Sequence, residues 1–531
     1  MKKLPLGIQS FRKIITEGYV YVDKTPYIYD LLNSASYYFL SRPRRFGKSL
    51  LLDTIGEVFG GDKELFCGLA IYDSDYDFVK YPVIRLDMSN IANKTPEILE
   101  DSLAASLRQR IKDEDLDITD TIPSDMFKHL INGLCKKYGQ RVVVLIDEYD
   151  KPILDHLHDI EIAEANRQVI RGFYGILKSM DPYLRFTFMT GVSKFTKTSV
   201  FSELNNMLDI TLLKKYANIC GVAKGDLEKY FGEHLEHLST LNKPKHCHNI
   251  HDEILAWYDG YSWDGETKLI NPFSLLSFFM QERFAGFWYA SGTPKFLIDL
   301  IKKHPSAYTN LNNLEVSEFM LDTIEFDKIA IEPLLFQTGY LTIKKILPTQ
   351  GQPLYLLGMP NFEVREAFNM QIVAALTESG ELRAGQAQIE ICRALNNGNL
   401  QKMLDILRGL FASIPYELHI DREAYYHSIF YAVMSVLGFD MDVEVSVAKG
   451  RVDAVLELEE TVYIMEFKYK NCPPKASEID KQALFAAALT EAMDQLNDRG
   501  YSAKYLGSGK TIYKVAFAFL GRDDIEMKAS G

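Results

Sequence analysis

Five consecutive aliphatic residues, Val142-Val143-Val144-Leu145-Ile146, run straight into Asp147-Glu148. A strand with one solvated face alternates polar and apolar residues. An unbroken apolar run therefore reads as a strand covered on both faces, which calls for helices on each side of a parallel sheet. The two acids fall at its C-terminal end, the edge where open α/β sheets bind ligands. Earlier, Tyr37 to Ser41 reads as a second buried strand, Arg42-Pro43-Arg44-Arg45-Phe46-Gly47-Lys48-Ser49 as a loop, and Leu50 to Phe59 as a helix. Strand, loop and helix in that order turn main-chain N–H groups and a helix N-terminus toward an anion.

The residue types fit a nucleoside triphosphate with magnesium. Lys48 would reach the β and γ phosphates, the Ser49 hydroxyl would hold the ion, and Arg44, Arg45 and Gly47 complete the nucleotide-binding set. Asp147 would hold magnesium through water, and Glu148 would polarise the attacking water. The loop departs from GxxxxGK[ST] at its first glycine, where Arg42 stands, so its start must bend differently. A third strand, Arg185 to Met189, ends in Thr190-Gly191-Val192-Ser193-Lys194. Thr190 there either senses the γ phosphate or marks a plain strand exit, and the two readings stand level. On a helix between these strands, Asn166, Arg167 and Arg171 could supply an arginine finger to a neighbouring copy's nucleotide, which would make the protein a homo-oligomer. A solvated helix face is the preferred reading of these arginines.

A second constellation lies near the C-terminus. Gly450-Arg451-Val452-Asp453 opens a strand reaching Leu458, Glu459-Glu460-Thr461 can turn the chain, and Val462 to Phe467 reads as the returning strand. Alternation puts Glu466 and Lys468 on one face, and Asp453 meets them if the hairpin closes in register. Two carboxylates and an ammonium on one face can be cross-strand pairs on a solvated hairpin, the commoner case for such a triad alone. They also suit a divalent cation and a phosphate, with the lysine orienting water and stabilising developing charge. Before the triad, Glu423 opens an amphipathic segment, Ala424 to Leu437. After it, Gln495 sits in a helical segment, Ala483 to Asn497, followed by Tyr501.

The order of helix with Glu423, strand with Asp453, strand with Glu466-Phe467-Lys468 and helix with Gln495 resembles the PD-(D/E)XK nuclease superfamily. The resemblance implies that Asp453 and Glu466 are metal ligands, Lys468 the catalytic lysine, Glu423 an outer acid and Gln495 a site-orienting group. Pro5-Leu6-Gly7-Ile8, Tyr21 to Thr25, Arg42 to Ser49, Leu145 to Tyr149, Thr190 to Lys194 and Phe201 to Asn206 resemble the AAA-ATPase-like family found in bacteria, often joined to such a nuclease domain. That implies an α/β P-loop core of the AAA+/STAND kind, in which the segment before the first strand closes over the nucleotide base. A helical lid with a winged-helix-like module would follow, then an α/β restriction-endonuclease-like domain.

A length of 531 residues suggests several domains. The expected divisions are 1–215 for the ATPase core, 216–320 for the lid, 321–375 for the winged-helix-like module, 376–415 for a helical connector and 416–531 for the nuclease-like domain. No apolar run approaches a membrane span, Met1 to Pro5 leads into mixed polar sequence, and six scattered cysteines lack CxxC pairing, so a cytoplasmic protein away from membranes is expected. Net charge is −13, and residues 416–531 carry 13 basic against 19 acidic residues, net −6. That argues against indiscriminate nucleic-acid binding, so any contact must use a local basic patch, a bound metal or another subunit. In the middle, the aromatic cluster Trp257 to Trp263 reads as pinning a loop rather than stacking bases. His246-Cys247-His248 with His251 lacks the second ligand pair a zinc site needs. Pro333 to Thr342 reads as a helix end entering a strand, with Tyr355 to Leu357 as hairpin partner.

The expectation is thus an ATP-binding and hydrolysing protein coupled to a magnesium-dependent nuclease, with manganese able to replace magnesium and nucleic acid, DNA foremost, as substrate. The rival is a STAND-type signalling or scaffold protein whose C-terminal domain binds without cutting.

Overall fold

The computed structural model describes residues 1–194, 206–241, 249–288, 311, 314–322, 331–368, 386, 389–391, 393–395, 397–412, 430, 441–447, 450–458, 460–473, 476–498, 505, 509–520 and 524–530. The chain divides into two compact units, Met1–Gly292 with Asn312–Val364, and Thr293–Leu311 with Arg365–Gly531.

In the first unit β1 (Tyr37–Ser41), β2 (Val83–Asp87), β3 (Val142–Asp147), β4 (Leu184–Gly191) and β5 (Leu208–Asp209) form a parallel sheet in the order β5-β1-β4-β3-β2. Inserting β4 between β1 and β3 sets the loop after β1 and the acids after β3 on either side of the β4 exit. Val142 to Ile146 are at most 2% exposed, as the aliphatic run requires. On one face, helices Pro96–Asp113, Pro123–Tyr138 and Ile160–Ser179 pack through Leu103, Phe127, Leu130, Ile170 and Phe173 against Val142, Val144 and Ile146. Alternation turns Val143 and Leu145 the other way, and helix Lys48–Phe59 also lies against β3. On helix Ile160–Ser179 Asn166 is fully buried, its amide donating to the carbonyls of Asn93 and Pro152 at 2.9 Å each, and Arg167, read as part of a solvated face, is partly buried and pairs with Glu164.

A second core of the same unit joins helices Lys224–Leu241, Ile250–Tyr258 and Pro272–Gln281 through Leu227, Phe231, Ile254, Tyr258 and Phe278, with Val20 of the N-terminal segment. Trp257 stacks on Phe284 with 5.8 Å between rings and Tyr258 is fully buried, so the aromatic cluster does pin the loop to its helices. His246, Cys247 and His248 lie outside the described residues. Next come β8 (Leu314–Ser317), helices Glu318–Asp322 and Ile331–Thr338, β9 (Thr342–Leu347) and β10 (Leu354–Gly358), with β10 antiparallel to both β8 and β9. The small pair β6 (Val222–Ala223) and β7 (Leu269–Ile270) completes the unit's strands among the described residues.

The second unit is built on β11 (Met441–Val447), β12 (Gly450–Glu457), β13 (Thr461–Lys470), β14 (Thr511–Leu520) and β15 (Asp524–Ser530), paired in sequence order. All pairs are antiparallel except β13 with β14, which are parallel because helix Glu478–Asp498 carries the chain back. That helix covers one face through Ala492, Met493 and Leu496 against Val455, Val462 and Ile464. On the opposite face Phe430 packs against Phe467 and Phe517, with ring centroids 4.9 Å apart in each pair. Among the described residues of the whole chain, no helix is long and apolar enough to cross a membrane.

Candidate functional site

The loop after β1 bends at two residues with positive φ, Arg45 (67°) and Gly47 (94°), and Gly47 then caps helix Lys48–Phe59. The bend is therefore displaced from the first-glycine position. Arg42 has instead turned its fully buried side chain away from the loop mouth. The guanidinium donates to the carbonyls of Ser41 (2.8 Å), Thr211 (3.0 Å) and Tyr216 (3.4 Å), and lies 4.0 Å from the ring centre of Trp263. Burial lowers the Arg42 pKa to about 10, which leaves it charged. Lys48 is also buried, and its ammonium donates to the carbonyls of Arg42 and Pro43 at 2.9 and 3.0 Å. Burial pushes the Lys48 pKa down, opposed by Asp147, Glu148 and Asp150. Ser49 is half-buried and Arg44 and Arg45 are exposed; the Arg45 guanidinium lies 4.1 Å from the Phe273 ring centre, and the Arg44 carbonyl accepts from Trp288 Nε1 at 3.3 Å.

Asp147 ends β3, and its Oδ1 accepts the Thr190 hydroxyl at 2.5 Å. The bond thus joins Thr190 of β4 to the acid that ends the neighbouring β3. Glu148 adopts φ 51°, and burial raises its pKa against the pull of Lys48. Asp150 has no role in the sequence reading, yet it is 1% exposed and accepts from Val192 N (3.0 Å), Ser193 N (2.6 Å) and the Ser193 hydroxyl (2.6 Å). Burial raises its pKa too, with the Ser193 bonds opposing. One residue on, Lys194 N donates to Gln337 Oε1 at 2.9 Å, and Gln337 Nε2 donates to the Leu321 carbonyl at 2.8 Å. The β4 exit is therefore tied to the acid strand on one side and to the β8–β10 module on the other. Beside Gly47 an apolar cavity opens between the N-terminal segment (Val20, Tyr21) and Ile219, Val222 and Pro272.

In the second unit the antiparallel pairing of β12 with β13 covers Ala454–Glu457 against Val462–Met465 and stops there. Beyond this point Glu466 to Lys470 pair with β14 only, among the described residues. The strands divide at Asp453, whose Oδ2 accepts the Phe467 main-chain N–H at 2.9 Å. The register continues to Asp453 opposite Glu466, so the triad does share one face, the one helix Glu478–Asp498 covers. Glu466 is 1% exposed, neither of its carboxylate oxygens accepts a well-formed hydrogen bond among the described residues, and the Lys468 ammonium is its ion-pair partner at 3.5 Å. Burial, reinforced by Asp453 and opposed by Lys468, raises the Glu466 pKa to about 7.

A buried carboxylate with unused oxygens, facing a second carboxylate across a strand division, fits a divalent cation. Among the described residues no group of three or more His, Cys, Asp or Glu is gathered, so a cation here would draw further ligands from water, carbonyl or phosphate oxygen. Gln495 is half-buried on the covering helix. Glu491, one turn earlier, bonds Lys470 of β13 at 2.7 Å, which sets that helix face over the end of the strand. Glu423 and Tyr501 lie outside the described residues. Sequence reasoning missed the Phe467 main chain, Asp150 and Gln337; only the acid two residues after Glu148 left a trace in the sequence.

Comparison with known proteins agrees with both constellations. The family model described as predicted AAA-ATPase matches residues 5–201, and that of the PD-(D/E)XK nuclease superfamily matches residues 421–528. A solved structure of the Aeropyrum pernix ORC2 protein, in ADPNP and ADP complexes, aligns with 68% of this chain and 98% of its own at 11% identity and a TM-score of 0.27, too distant a likeness to carry an argument. An uncharacterized protein in the vnfD 5' region of Azotobacter chroococcum mcd 1 is 36% identical over 529 residues, spanning 98% of this chain and 96% of that protein. The chain belongs to the same family as that Azotobacter protein, and it joins a predicted AAA-ATPase domain to a PD-(D/E)XK nuclease superfamily domain.

Proposed function

We propose that the chain is an ATPase coupled to a divalent-metal-dependent nuclease that cuts phosphodiesters of nucleic acid, with DNA the foremost substrate. The observation that carries the nuclease reading is Glu466, a buried acid whose two oxygens accept no well-formed hydrogen bond among the described residues and whose ion-pair partner is Lys468 at 3.5 Å, at a site shared with Asp453. Asp453 Oδ1 and the Glu466 carboxylate would hold magnesium or manganese. The Phe467 carbonyl is a further oxygen at hand, since it faces the same strand edge as the N–H that Asp453 accepts. A bound ion there would make hydroxide available at neutral pH and neutralise phosphate charge. Lys468 would orient the water and stabilise the developing oxyanion, and Gln495 and Glu423 would steady the surrounding polar groups.

In the first unit, ATP would place its phosphates over Gly47 to Ser49 with Arg44 and Arg45 at the mouth, and its base in the apolar cavity lined by Val20 and Tyr21. Lys48 would exchange its carbonyl partners for phosphate oxygens. Ser49 and Asp147 would hold the accompanying magnesium, Glu148 would accept the proton of the attacking water, and Thr190 would report the γ phosphate through Asp147. The β8–β10 module has the strand, helix, helix, hairpin order of a winged helix. Helix Ile331–Thr338, which such a module would offer to DNA, is buried from Pro333 to Thr338, which supports a nucleotide-coupled lever rather than a reader of bases.

The test is incubation of the protein with linear, circular and single-stranded DNA and with RNA, with magnesium or manganese, with and without ATP. Cleavage that needs metal and is abolished in Asp453→Ala and Lys468→Ala, with ATP turnover retained, is the expected result. Nucleotide-driven assembly with no cleavage of any substrate would favour a scaffold instead.

A further inference from the structure

The second unit places its catalytic candidates on a run of β13 that continues past them. Alternation sets Glu466, Lys468 and Lys470 on one face, and the β12–β13 ladder ends before this run, with the Asp453 carboxylate taking the Phe467 N–H. Lys470 is therefore in line with the triad on that face. Its ammonium is 2.7 Å from Glu491 on the covering helix, and both side chains reach solvent, at 36% and 52% exposure. The hydrogen bond from Lys470, with added charge from Lys468, holds the Glu491 carboxylate below its usual range, so Glu491 lies in the field of both lysines. Two strand residues advance by about 6.5 Å, a step of the order that separates successive phosphates on an extended nucleic-acid strand. Residues 416–531 carry net −6, so attraction for a polyanion must be local.

We propose that Lys470 binds the phosphate next to the scissile one, and that Glu491 is the internal anion occupying Lys470 until a nucleic-acid strand displaces it. This rests on the nuclease reading of the Asp453–Lys468 site. The bound strand would run along the face of β13 that carries both lysines, with the scissile phosphate at Lys468 and its neighbour at Lys470. Lys470 is then a substrate-positioning residue, and Glu491 sets the threshold for occupancy by competing with phosphate.

The test uses the full chain, a fluorescent 20-nucleotide single strand and the corresponding duplex. Affinity is measured between about 50 and 200 mM salt with metal chelated, and cleavage is measured separately with magnesium. Lys470→Ala is expected to lower the slope of log affinity against log salt by about 0.7 on the single strand or 0.9 on the duplex, one phosphate's worth. It should also raise KM severalfold with kcat little changed, and Lys470→Arg should restore the slope. Glu491→Gln should tighten binding severalfold. The thermal transition of each variant checks folding. A wild type that cleaves while Lys470→Ala keeps both slope and KM overturns this inference and leaves the nuclease reading standing. A wild type that binds without cutting, and loses slope in Lys470→Ala, upholds the inference and removes the nuclease reading. A wild type that binds neither strand form overturns both.

Discussion

Asp453 and Phe467 are joined at 2.9 Å by a bond from main chain to carboxylate at the point where β12 and β13 part company. The acid that would hold a cation is thus also the acceptor for the main-chain amide just beyond the β12–β13 ladder. Asp453→Asn keeps an acceptor for that amide and removes the charge. It is expected to fold with a thermal transition close to wild type, and to lose cleavage by at least about 100-fold along with calorimetric manganese binding. Asp453→Ala should do the same and in addition lose roughly 1 kcal/mol of stability, readable by denaturant titration.

Glu466 predicts a pH effect of definite sign. Its unfolded carboxyl titrates near about 4.3, whereas burial holds the folded one at about 7. Between those values the folded protein keeps a proton that the unfolded chain releases, so stability contributed by this group falls as pH rises through the window and is level on either side. The span is on the order of 3–4 kcal/mol. Glu466→Gln should remove that dependence, giving a higher thermal transition than wild type at pH 8 in chelator and no metal-dependent cleavage. Added manganese should raise the wild-type transition at pH 8 more than at pH 5, since ion and proton compete for the same oxygens.

Restoring the motif glycine should harm the protein. Arg42→Gly deletes a buried cation that satisfies the Thr211 and Tyr216 carbonyls and fills the space against Trp263. A loss of roughly 2–4 kcal/mol is expected from unpaired carbonyls and the cavity together, with no gain in ATP affinity. Denaturant unfolding and nucleotide titration of this variant measure both.

Lys48 and Glu148 should separate binding from turnover. Lys48→Ala is expected to weaken ATP binding by at least about tenfold while the core remains folded, because the lysine's present partners are carbonyls that water can serve. Glu148→Gln should bind ATP normally and lose about 100-fold or more in hydrolysis. Fluorescent-nucleotide binding and phosphate release distinguish the two.

Gln337 links the Lys194 amide to the Leu321 carbonyl, so it should carry nucleotide state from the β4 exit to the β8–β10 module. Gln337→Leu is expected to preserve ATP turnover within a few fold and to abolish any effect of ATP on cleavage. The ratio of cleavage rates with and without ATP is the measurement.

How far the sequence could be read depended on the range of the forces involved. β1, β3 and helix Lys48–Phe59 were legible because a covered strand must be apolar throughout and the Arg42–Ser49 segment has the residue pattern of a loop that opens a helix. Asp453, Glu466 and Lys468 were legible because strand alternation is strict and the turn between the strands is short. The role of Arg42 was hidden because the carbonyls it serves lie 169 and 174 residues away, and no local pattern encodes such partners. Asp150 was hidden for the same reason, its partner Ser193 being 43 residues distant, and an acid after an acid strand looks like one more solvated charge. The burial of Asn166 was hidden because a helix sequence shows which residues share a face, but not that a polar one will find two carbonyls inside.

Arg42 holds two things at once: its carbonyl receives the Lys48 ammonium, and its side chain grips Thr211, Tyr216 and Trp263. A glycine there would leave the loop start and the Thr211–Trp263 side mechanically separate. With arginine, the loop start cannot shift without breaking or carrying along those contacts. If ATP occupies the loop as proposed, its entry and release should share one kinetic barrier with that movement, and nucleotide exchange should be slow.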